Sequence, residues 1–86
     1  MNFRKEIETM TKVEYARCEK LMEEAIRKAE QSKEEFSQFD SCNTFTDKYI
    51  LLQYAREHLG YADGINQTLV CIGFKHERMK ELENLL

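Results

Sequence analysis

Proline is absent from the 86 residues, glycine occurs three times and tryptophan not at all. Without proline and with so little glycine, the chain lacks the punctuation of an all-β fold with many tight turns. No apolar run approaches the length of a membrane-crossing helix, and Met1 to Glu6 carry charge where a signal peptide needs an apolar core. A cytoplasmic protein with no membrane partner is the expectation. The net charge is −3 and the pI about 5.4, so no basic footprint for direct nucleic-acid binding is present. Cys18, Cys42 and Cys71 are odd in number and lie in three different segments, which argues for free thiols rather than a disulfide framework.

What is abundant is charge of both signs, a third of the residues, interleaved with apolar positions. That is the composition of helices. Thr11 followed by Glu14 forms a capping box, with Met10 and Tyr15 able to staple across it, and the apolar spacing Tyr15, Cys18, Met22, Ala25, Ala29, Ser32, Phe36, Phe39 alternates by three and four. Helix one is expected from about residue 11 to 39, and Phe3, Ile7 and Met10 leave an extension over 3–10 open. Residues 40–45 read as a loop, after which Thr46 can cap a second helix, with Phe45 and Ile50 as its staple.

Downstream, Leu51, Ala55, His58, Ala62, Ile65, Leu69, Ile72, His76 and Met79 keep one register, so helix two is expected as a single element over about 46–84. Gly60 and Gly64 argue against continuity, since each costs about 1 kcal/mol in a helix interior. A three-helix bundle broken there is the alternative. The preserved heptad phase favours the continuous helix, and with it an all-α antiparallel helical hairpin in one domain. Folded back, the seams pair Met22 with Leu69, Ala25 with Ile65, Cys18 with Ile72 and Phe36 with Ala55, with a thin waist at Ala29 and Ala62.

The outer faces differ. Helix one is polar outside, with Glu19, Glu23, Glu24, Glu34 and Glu35 among its charges and Leu21 and Ile26 at its edges. Helix two carries Tyr49, Ile50, Leu52, Tyr54, Leu59, Tyr61, Val70, Cys71 and Phe74 off the seam, more apolar surface than one partner helix can cover. Gly60 and Gly64 on the same outer face would let another backbone approach. A homodimer completing a four-helix bundle, or a protein partner, is expected there.

Nothing in the pattern calls for catalysis, a cofactor or a metal. His58 and His76 are eighteen residues apart, about 27 Å along a continuous helix, and read as core histidines that fix register. No paired zinc-ligand spacing occurs, and Cys42, just before a helix start, lacks an evident base. The Glu-rich runs match basic residues three or four positions away, as a solvated helix face does. The functional expectation is a non-enzymatic helical interaction module. The alternative is a small regulator or inhibitor whose acidic face occupies a nucleic-acid-binding protein.

Overall fold

The computed structural model describes residues 10–86, which form two long antiparallel helices and one short one, with no strand among the described residues. Helix α1 spans Lys12–Ser37, a 3₁₀ turn Phe39–Ser41 follows, α2 spans Phe45–Cys71 and α3 spans Met79–Leu85. The molecule is a rod of 56 × 21 × 19 Å. An all-α helical hairpin is its architecture.

The start of α1 is set by Thr11, whose Oγ1 accepts from the Glu14 backbone N–H at 3.1 Å. Met10 packs half-buried against the core, while the extension considered upstream lies, up to residue 9, outside the described residues. At the start of α2 the cap is Thr44 rather than Thr46: Thr44 Oγ1 accepts from Asp47 N–H at 3.1 Å. The two-residue shift has a simple cause, because Thr44 stands three before Asp47 and so satisfies an orphan donor with an acidic residue already in the first turn. Phe45 is consequently inside the helix and 84% exposed, and forms no staple.

Helix α2 runs unbroken through Gly60 and Gly64, so the break considered there does not occur. Two glycines in 27 residues cost a couple of kcal/mol at most, less than the packing of the flanking seam. The helix ends instead at Cys71, well short of residue 84. Gly73 adopts φ 77°, its N–H donates to Val70 O at 3.0 Å, and Phe74 N–H donates to Leu69 O at 2.9 Å. Those two bonds are a Schellman termination, whose left-handed position glycine fills without strain and whose next residue buries an apolar side chain against the last turn. Phe74 and Leu69 meet that demand in the core.

After this corner, α3 turns back and packs mainly on α1. It covers the Ile26 edge of the hairpin, and the core therefore combines Met22, Ala25, Ile26 and Ala29 of α1, Ala62 and Leu69 of α2, Phe74, and Met79 and Leu82 of α3. Each large side chain in that set contributes about 1.5–3 kcal/mol. The expected seam is buried at Cys18, Met22, Ala25, Ala29 and Ser32 of α1 and at Ala55, Ala62 and Leu69 of α2, whereas Phe36 and Ile72, expected at its two ends, are 41% and 39% exposed. Asn66 carries a buried side-chain oxygen without a hydrogen-bond partner.

Candidate interaction surface

Polar bonds fix how α1 lies on α2 and on the turn that follows it. Ser32 Oγ, fully buried, donates to Ala55 O at 2.7 Å; His58 Nδ1 pairs with Glu35 Oε1 at 2.5 Å; Tyr61 OH donates to Glu24 Oε1 at 3.1 Å; and His76 Nε2 pairs with Glu19 Oε2 at 2.9 Å. A carboxylate accepts only, so His58 carries its proton on Nδ1. His76 accepts from Arg78 N–H through Nδ1, which leaves the proton on Nε2 for Glu19. Its ring stacks with those of Tyr15 and Phe74, at centroid distances of 6.3 and 5.9 Å. Both histidines are thus tied to glutamates of α1, His58 from α2 and His76 from the turn beyond it rather than from the seam of a continuous helix. The bond to Glu24, and the charge of that carboxylate, raise the Tyr61 pKa above the ordinary tyrosine value.

These bonds remove Glu19, Glu24 and Glu35 from the set of free outward carboxylates that the sequence suggested. Among the described residues no group of three His, Cys, Asp or Glu side chains could hold a metal ion. Cys18 is buried, Cys42 half-buried with its Sγ 3.6 Å from Gln38 O, and Cys71 exposed at the end of α2.

Helix periodicity divides the outer residues of α2 into two flanks. On one lie Tyr49, Leu52, Leu59 and Val70; α3 returns along this side, with Leu86 beside Leu59 and Gly60. Leu52 and Leu59 are half-buried, Tyr49 and Val70 about half exposed. On the other lie Ile50, Tyr54, Tyr61, Ile65 and Ile72, with no helix over them among the described residues. Tyr54 is 53% and Tyr61 49% exposed, and Leu21 of α1, 41% exposed, borders a shallow groove of about 360 Å³ with Tyr61, Gly64, Ile65, Thr68 and Leu69. Gly60 and Gly64 are exposed, and an added Cβ at either would meet nothing within 4 Å.

Of the nine outer residues expected to form an interface, Phe74 is misplaced: it is 5% exposed and belongs to the core. A straight helix would have carried its ring outward, and the turn at Gly73 carries it inward. Ile50, which the spacing places off the seam, lies on the open face, joined by Ile65 from the seam and by Leu21 from the edge of α1. For Ile50 and Ile65 the signal is their spacing from Tyr54 and Tyr61; Leu21 belongs to the facing helix, which spacing along α2 does not reveal. Comparison with known protein families, curated proteins and solved structures returned no match.

Proposed function

We propose that this chain is a non-enzymatic helical interaction module that self-associates, or holds a protein partner, through the outer face of α2. The observation that carries the reading is the apolar flank opposite α3, where Ile50, Tyr54, Tyr61 and Ile72 are each 39–53% exposed on one stripe. Contiguous apolar surface of this kind marks contact sites, and tyrosine serves there because it buries a large area with little rotamer entropy and keeps a hydroxyl for the partner.

Light scattering coupled to size-exclusion chromatography, over a wide concentration range at low and high salt, tests it. Tyr54→Glu is the cleaner probe, since Tyr61 is already bonded to Glu24. The expected result is salt-resistant association that Tyr54→Glu weakens while helicity by circular dichroism is unchanged. Association that survives Tyr54→Glu, or that dissolves with salt as an acidic face on a basic partner would, counts against it.

A further inference from the structure

We infer that the occupant of the open flank is a second copy of this chain, laid antiparallel so that α2 packs on α2 about a two-fold axis passing by Tyr61. This rests on the interaction reading above and gives it a partner and a register. In an isologous contact the same stripe meets itself reversed, so it must be self-complementary about its centre. Ile50, Tyr54, Tyr61 and Ile72 of the flank, with the exposed Thr68 that borders its groove, stand at spacings of four, seven, seven and four, while Ile65, half-buried toward α1, lies to one side of this line. A two-fold at Tyr61 therefore sets Ile50 opposite Ile72 of the second copy and Tyr54 opposite Thr68, pairing large with large at the ends and large with small inside. Gly64, one turn from Tyr61, has open space where a Cβ would stand. That space admits the second copy's Tyr61 ring close to the backbone.

The area agrees. Leu21, Ile50, Tyr54, Tyr61 and Ile72 are 39–53% exposed. At about 200 Å² per large side chain they present roughly 450 Å² of apolar surface per copy. A standard interface buries about 800 Å² per partner, a little over half of it apolar. With α3 on one side and a second copy on the other, each α1–α2 layer is covered on both faces, which places a four-helix core at the centre of the dimer.

The test uses the native thiols as rulers. With Cys18 replaced by alanine, spin labels at Cys71 alone (Cys42→Ser) and at Cys42 alone (Cys71→Ser) report the pairing by pulsed electron paramagnetic resonance. Cys71 lies ten residues from Tyr61 and Cys42 nineteen, so the antiparallel dimer gives about 30 Å between the Cys71 labels and more than about 50 Å between the Cys42 labels, at 1.5 Å per residue. Gly64→Leu, at a position where an added Cβ meets nothing within 4 Å, should raise the dimer dissociation constant about tenfold or more by holding the helices apart. Equal short distances at both sites, or an unweakened Gly64→Leu dimer, overturn this register while leaving self-association standing. A monomer at every concentration overturns the inference together with the self-association half of the reading.

Discussion

Leu21 and Ile26 sit five residues apart on α1, at opposite edges of the same apolar seam, and their fates differ: Ile26 is 2% exposed and Leu21 41%. The difference is α3. Seven residues of helix beyond the Gly73 corner close one face of the α1–α2 layer, and the other face has no counterpart among the described residues. A two-helix layer buries a strip of small side chains at its waist, here Ala25, Ala29, Ala55 and Ala62, but large side chains at its edges need a third element. One face of this hairpin has that element within the chain. The proposal above assigns the other face to a second copy.

The sharpest way to break that contrast is to truncate an aromatic on each face. Phe74 and Tyr54 look alike in the sequence, as aromatics off the helix-two seam. Phe74→Ala empties a site under α3 and at the Schellman turn and should cost about 3–5 kcal/mol in chemical denaturation. Tyr54→Ala should cost less than about 1 kcal/mol in the monomer, because its ring is half in water already. Equal losses would mean that α3 is not the element that separates the faces. The same logic holds for Ile26→Ala against Leu21→Ala, with a smaller gap.

A second test sharpens the contrast from the backbone. Gly60 and Gly64 both lie in the helical interior with room for a Cβ. Gly60→Ala and Gly64→Ala should each raise monomer stability by about 1 kcal/mol through helix propensity alone. If the open flank is the dimer face, the two separate on concentration: Gly64→Ala should raise the dimer dissociation constant, whereas Gly60→Ala, toward the α3 side beside Leu86, should not. Thermal melts at two protein concentrations would show it.

How much of this was legible in the sequence follows from which physical signals are local. The Thr11 cap, the two amphipathic helices and the survival of α2 through its glycine pair can be read because capping and periodicity act within a turn or two. The corner at Gly73 could not be read from heptad phase, since Ile72, His76 and Met79 keep that phase across it. Its signal is different in kind: a glycine followed by a large apolar residue, which is a Schellman end when Leu69 stands where it can receive Phe74. Without that corner, heptad phase points Phe74 outward and leaves the edge residue Ile26 uncovered, whereas both are buried. The cross-bundle bonds of Glu19, Glu24 and Glu35 were equally hidden, because a glutamate on the border of a helix face reads as solvated until the partner's tyrosine or histidine is placed beside it.

The smallest effect concerns the open face itself. Tyr61 donates to Glu24, and that carboxylate raises the phenol's pKa. A tyrosine whose folded pKa lies above its unfolded value gives its contribution to stability fully below the unfolded value and loses it as pH rises through the folded one, so the bond is intact at neutral pH and fails only in the alkaline range. Glu24→Gln removes the charge and keeps an acceptor. It should bring the Tyr61 titration, followed by tyrosinate absorbance, back toward the ordinary value while leaving neutral-pH stability nearly unchanged, because both groups face water. An unmoved titration would show that Tyr61 is not held by α1. Its ring would then be free to swing, and the contrast between an ordered open face and an ordered closed one would lose its centre.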